Sequence, residues 1–198
     1  MKLNWAERLV VNNPLRVMEQ GFEIRWMKRV QELTPDSLVL EVGCGRGAGA
    51  GLILGEFHPK AIHAMDLDLK MIRMGNRFLS PEEKSKISMY VGDVLNLPYA
   101  DNVLDAVFDF GVLHHVPDWQ GALREITRVL KPGGIFYVEE LYPTLYQNFI
   151  TKHILLHPTE NRFGSRDFKE ALTAAKLSLK DSLEVWGVGI LAVLAKEN

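Results

Sequence analysis

The chain has 198 residues, a net charge of −2, 47% hydrophobic and 24% charged residues, which are the proportions of a globular domain with a full core. No Lys/Arg-rich block supplies the basic footprint that nucleic acid requires, the lone Cys44 excludes an internal disulfide, and no apolar run is long enough to span a bilayer. The first residues, Met-Lys-Leu-Asn-Trp-Ala-Glu-Arg, lack the apolar core of a signal peptide, so the expected location is cytoplasmic.

Residues up to about 35 read as helical, with Met18, Phe22, Trp26 and Val30 at every fourth position along one apolar stripe. Thr34-Pro35-Asp36-Ser37 closes that segment with a turn. Strands and helices then alternate: a strand over 38–42, a helix over 47–57, a strand over 61–65 and a helix over 69–78. Strands are predicted over 87–91 and 104–110, then an amphipathic helix over 120–130 that Lys131-Pro132-Gly133-Gly134 stops. A fifth strand over 135–139 precedes an irregular aromatic stretch, a helix over 167–175, and two strand-like runs at 182–186 and 190–195. Alternation of this kind predicts a mostly parallel sheet covered on both faces, and the Gly-Val-Gly between the last two runs predicts an antiparallel hairpin.

The most specific stretch is Leu-Val-Leu-Glu-Val-Gly-Cys-Gly-Arg-Gly, residues 38 to 47. A doubly buried strand breaks there into alternate glycines, which let the backbone turn tightly and approach a ligand, while the next helix aims its electropositive end at the same place. Gly43, Gly45 and Ala48 fit a dinucleotide fingerprint, and Asp66 lies roughly 20 residues on, where a ribose-binding acid belongs. Glu41 separates the readings, because an acid at the strand end repels a pyrophosphate and suits the ammonium of S-adenosylmethionine.

Six motifs follow in order: Glu41-Val-Gly-Cys-Gly-Arg-Gly, Met65-Asp-Leu-Asp, Gly92-Asp93, Leu104-Asp-Ala-Val, Leu113-His-His-Val and Arg128-Val-Leu-Lys-Pro-Gly-Gly134. With these the chain resembles class I S-adenosylmethionine-dependent methyltransferases, in particular the small-molecule branch that includes quinone-biosynthesis enzymes. The likeness is specific from about residue 38 to 140 and looser beyond. It implies a Rossmann-like, doubly wound α/β sheet of about seven strands, six parallel and the last antiparallel. It also implies that Glu41, Gly43, Cys44 and Gly45 border the methionyl part of the cofactor and Asp66 takes the ribose hydroxyls. Leu67 and Met71 would flank sugar and adenine, Asp93 and the Val94 amide would meet the adenine edge, and Asp109-Phe110 would lie by the methionyl end. Asp109 departs from the Ser, Asn or Cys common in relatives, so a second acid for the ammonium and a group facing the acceptor are both open to it. Lys176-Leu177 departs too, replacing the usual Gly-Phe.

His114, His115 and Glu140 are the candidate bases, should the acceptor carry a proton at working pH. The scattered His63, His153 and His157 have no ligand spacing, so no metal site is expected. The whole chain reads as one methyltransferase domain: a helical cap over 1–35, a cofactor core over 36–140, a substrate-side insertion over 141–168, and a C-terminal helix and hairpin over 169–198. The cap's Trp5, Phe22 and Trp26 and the insertion's Tyr142, Tyr146, Phe149 and Phe163 suggest a small apolar or aromatic acceptor, although packing against the sheet explains aromatic residues equally well. Two other readings stay open: a cofactor-binding regulatory module without acceptor chemistry, and an NAD-dependent oxidoreductase, which leaves Glu41 and Gly92-Asp93 unexplained.

Overall fold

The computed structural model describes residues 13–146 and 161–198. At its centre is β1 (Leu38–Val42), which pairs in parallel with β2 (Ala61–Asp66) on one side and β4 (Leu104–Phe110) on the other. β3 (Ile87–Val91) extends the sheet beyond β2, and β5 (Leu130–Leu141) extends it beyond β4. β7 (Gly189–Lys196) is antiparallel both to β5 and to the edge strand β6 (Leu177–Val185), giving the order β3-β2-β1-β4-β5-β7-β6. This is the expected seven-stranded sheet with one reversed strand. The connection reverses direction between β1 and β4, so a crevice opens at their carboxyl ends, where such sheets bind ligands.

Two apolar layers sandwich the sheet. On one face Leu40, Val42, Val107, Phe136 and Val138 pack under α5 (Trp119–Val129) and α7 (Ser165–Ala174) through Trp119, Leu123, Ile126, Phe168 and Leu172. On the other, Val39, Ala106, Phe108 and Tyr137 meet Ile24 and Met27 of α1 (Pro14–Val30) and Ala50, Ile53 and Phe57 of α2 (Ala48–Phe57). α3 (Leu69–Phe78) adds Ile72 to that second layer and starts on Asp68, whose side chain accepts the Lys70 amide at 2.9 Å. Asp68, and not Asp66, is therefore the helix cap. Short helices α4 (Pro81–Lys84) and α6 (Pro143–Tyr146) complete the connections. Among the described residues no helix is long and apolar enough to cross a membrane.

Three sequence expectations need correction. In α1 the buried residues are Gly21, Ile24 and Met27, whereas Met18 and Phe22 are about 60% exposed; only Trp26 and Val30 of the apolar stripe pack on the core. The polar residues Arg16 and Gln20 turn inward instead, where they line the crevice that this helix covers. Tyr142 and Phe163 are buried in the core, Phe163 with its ring between Trp119 (4.6 Å) and Phe168 (4.8 Å), so these aromatics pack rather than line a substrate cavity. Trp5 and Phe149, like the side chain of Tyr146 and the rings of His153 and His157, lie outside what is described. Finally, β6 begins at Leu177, and Trp186 is at the hairpin turn with 95% exposure.

Candidate active site

The crevice at the carboxyl ends of β1, β2 and β4 is a cavity walled by Glu41, Gly43, Cys44, Gly45, Asp66, Leu67, Met71, Asp93, Val94 and Phe110, ten of the eleven residues assigned to the cofactor from sequence. Asp109 is the exception. Of the candidate bases His115 lines the cavity, and His114 and Glu140 do not. The sequence reading missed Arg16, Gln20, Gly49, Val112, Val116 and Pro117, which also line it.

The glycine loop is held in shape by its neighbours. The Cys44 amide donates to the Met65 carbonyl at 2.9 Å, and the Gly45 amide donates to Asp66 Oδ2 at 2.9 Å. Asp66 Oδ1 accepts the Asp68 amide at 2.7 Å. Gly43 and Gly45 have φ of +63° and +54° but differ in surroundings. A Cβ at Gly43 would lie 2.1 Å from Val112 Cγ2, whereas one at Gly45 would meet nothing within 4 Å. Gly43 thus serves packing against the β4 loop, and Gly45 faces the cavity.

Glu41 is 2% exposed, and its carboxylate accepts the Ala50 amide at the start of α2. A Cβ on Gly49 would come within 2.1 Å of Glu41 Oε1, which explains a glycine inside that helix. Glu41 Oε2 is buried with no hydrogen-bond partner among the described residues, and burial pushes the carboxyl up to about 8. Such an oxygen on a cavity wall fits a cation, and the ammonium of S-adenosylmethionine would supply the missing donor. At the far side, Asp93 Oδ1 accepts the Leu95 amide at 3.0 Å beside the buried Val94.

Over the crevice, Arg16 of α1 bonds Glu139 at the end of β5 and Glu23 at 2.8 Å. This ion-pair set ties α1 across the sheet. Residues 111–117 form the remaining wall. Gly111 (φ +76°) begins the loop and donates its amide to the Glu139 carbonyl at 2.8 Å, and a short 3-10 turn over Leu113–His115 presents His115. Beneath the loop the fully buried Asp109 accepts the Val112 amide at 2.8 Å, and Glu140 accepts the Leu113 amide at 2.7 Å and is hydrogen-bonded to His114 Nδ1 at 2.6 Å. Among the described residues there is no cluster of His, Cys, Asp or Glu able to hold a metal ion.

Comparison with known proteins agrees with this geometry. The family described as "Methyltransferase domain" matches residues 40–138. The demethylmenaquinone methyltransferase of Bacillus mycoides (strain KBAB4) is 29% identical over 154 residues, 73% of this chain and 65% of that protein. The sterol 24-C-methyltransferase ERG6B of Gibberella zeae is 36% identical over 120 residues, 59% of this chain and 31% of that protein. The chain thus covers less than two thirds of the length of either relative. A SAM dependent methyltransferase from Aquifex aeolicus superposes with a TM-score of 0.77 at 17% identity, over 98% of this chain and 100% of that one, which establishes a shared fold. With half its length matched by the family model, and with the family's sheet order and glycine loop in place, the chain belongs to the methyltransferase-domain family.

Proposed function

We propose that this protein transfers a methyl group from S-adenosylmethionine to a small apolar or aromatic acceptor. The observation that carries the reading is the unpartnered, buried Glu41 Oε2 on the cavity wall, which calls for a cation and suits no pyrophosphate. When bound, the cofactor supplies an already activated methyl on a sulfonium, and its departure leaves a neutral thioether.

The chain's own residues then have four tasks. Glu41 takes the ammonium, and the bare face of Gly45 leaves room for the methionyl chain. Asp66 accepts the ribose hydroxyls from its place on the cavity wall at the end of β2. Leu67, Met71, Val94 and Asp93 enclose the adenine. Phe110, Val112, Val116 and Pro117 keep water from the reacting end, where alignment and desolvation lower the barrier. His115, the candidate base that reaches the cavity, accepts the proton of an acceptor that carries one. The apolar character of that wall favours quinols and phenols, and the demethylmenaquinone and sterol relatives are named for apolar acceptors.

The test is calorimetric titration with S-adenosylhomocysteine and with NADH, followed by a screen of quinols, phenols, thiols and amines with methyl-labelled cofactor. Binding of S-adenosylhomocysteine with label transfer to an apolar acceptor supports the proposal. NADH binding in its place overturns it, and cofactor binding without transfer to any acceptor favours a regulatory module.

A further inference from the structure

Asp109 and Glu140 are both fully buried, at the ends of adjacent strands and on the same sheet face. The cavity does not reach either one. Glu140 Oε1 accepts the Leu113 amide at 2.7 Å, while Oε2 accepts the His114 amide at 3.3 Å and lies 2.6 Å from His114 Nδ1. The side chain of Asp109 bonds to Glu140 as well. A carboxylate has about four lone-pair positions, and these donors fill them. Glu140 therefore has no free position from which to take a proton from an acceptor.

Two carboxylate oxygens repel unless one carries a proton. Asp109 Oδ1 accepts the Val112 amide at 2.8 Å, and Oδ2 has no donor of its own. The N–H donors around Glu140 favour its ionised form, so a proton held by the pair resides on Asp109. Burial raises both carboxyls by desolvation, the charge of Glu140 raises Asp109 further and that of Glu139 raises Glu140, so the pair keeps at least one proton at neutral pH. An ionised Glu140 requires hydrogen on His114 Nδ1, which fixes the tautomer of that ring. The ring fits there because residue 111 is glycine: a Cβ would approach His114 Cε1 to 3.2 Å. The His114 ring in turn lies 4.2 Å from the His115 ring, centroid to centroid.

We infer that Asp109 and Glu140 form a positioning pair for acceptor chemistry: protonated Asp109 and ionised Glu140 together clamp the amides of residues 112–114, orient the His114 ring, and through it set His115 in the cavity wall. The consequence for catalysis rests on the methyl-transfer reading above, but the pair can be tested without an acceptor.

The decisive variants are Asp109→Ala, Asp109→Asn and Glu140→Gln. Asparagine at 109 keeps an acceptor for Val112 and offers an N–H in place of the acid O–H, whereas alanine offers neither. Ring 15N spectra of the wild-type protein are expected to show His114 protonated at Nδ1 with a strongly deshielded proton. Asp109→Ala and Glu140→Gln should move that proton upfield and mix the tautomers, with S-adenosylhomocysteine affinity kept within about threefold. On the best acceptor of the screen they should lower kcat at least tenfold with a smaller change in KM, and Asp109→Asn should recover most of what Asp109→Ala loses. The inference is overturned if Asp109→Asn is as damaging as Asp109→Ala, or if the His114 ring signals in Glu140→Gln match the wild type. Should Glu140→Gln fail to fold, the Asp109 pair of variants decides alone. Failure of the function reading is a separate result: the wild type then binds no S-adenosylhomocysteine, while the ring spectra still report on the pair.

Discussion

Glu41 links the cofactor reading to a measurable proton. Burial raises its carboxyl to about 8, so at pH 7 the unliganded protein holds it mostly as the neutral acid. An ammonium set against it favours the ionised form, and binding then expels a proton. If only the ionised form binds, the association constant follows the ionised fraction, which for a pKa of about 8 rises from about 0.03 at pH 6.5 to about 0.5 at pH 8. That is a gain of about 15-fold, or about 1.6 kcal/mol. The sign for stability runs the other way. The folded value is raised above the ordinary 4.5, so the native state keeps a proton that the unfolded state has lost. The contribution of Glu41 to unliganded stability is present below about 4.5 and is lost as pH rises through about 8. Titration with S-adenosylhomocysteine at several pH values, in two buffers of different ionisation enthalpy, should report about 0.9 proton released at pH 7. Glu41→Gln cannot ionise and should show neither the release nor the rise in affinity. A wild-type affinity flat from pH 6.5 to 8 with no proton exchanged would refute the placement of the ammonium at Glu41.

Asp66→Ala removes the acceptor of two hydroxyls at about 1.5–3 kcal/mol per charge-assisted bond, so S-adenosylhomocysteine affinity should fall at least tenfold; unchanged affinity in a folded variant sinks the ribose assignment. Gly45→Val should abolish binding and preserve the far-UV spectrum, since the cavity is what a side chain meets there. Gly43→Ala should instead cost roughly 2–3 kcal/mol in denaturant melts, from a left-handed backbone and the clash with Val112. Lys176 holds φ at +59° just after α7, so Lys176→Gly should raise stability by about 0.5–1 kcal/mol, and a lower melting midpoint contradicts that.

The layered sheet was legible because each of its signals is local. Doubly buried strands show as apolar runs, caps and stops show as Asp68 and the Lys-Pro-Gly-Gly stretch, and Gly187-Val188-Gly189 marks the last hairpin. What periodicity could not show is the rotation of α1. Hydrophobic spacing places Met18 and Phe22 inward on the assumption that the buried face is apolar, yet this helix covers a crevice and is pinned by Arg16 to Glu139, a residue 123 positions away in sequence. Asp105 has the same kind of hidden role. It reads as one letter of a family motif, and in the fold it accepts the Leu38 amide at 2.8 Å and Lys131 Nζ at 2.6 Å, tying the starts of β1 and β4 to the bulge that opens β5.

The site was legible as a set of positions and not as a set of roles, and the reason is hydrogen-bond capacity. Glu41 and Glu140 are both glutamates near a carboxyl end of a strand, both nearly or fully buried, and burial alone does not rank them. Their surroundings separate them. Glu41 has an oxygen with no donor beside a cavity, so it is incomplete until a cation arrives. Glu140 accepts two amides and is bonded to the His114 imidazole, so both its oxygens are engaged already, and a ligand could bond it only by displacing one of these groups. A buried acid marks a ligand site when its lone pairs outnumber the protein donors that reach it, and marks scaffolding when they do not. Because those donors come from amides brought in by chain reversal at residues 111–115, the distinction exists only after folding.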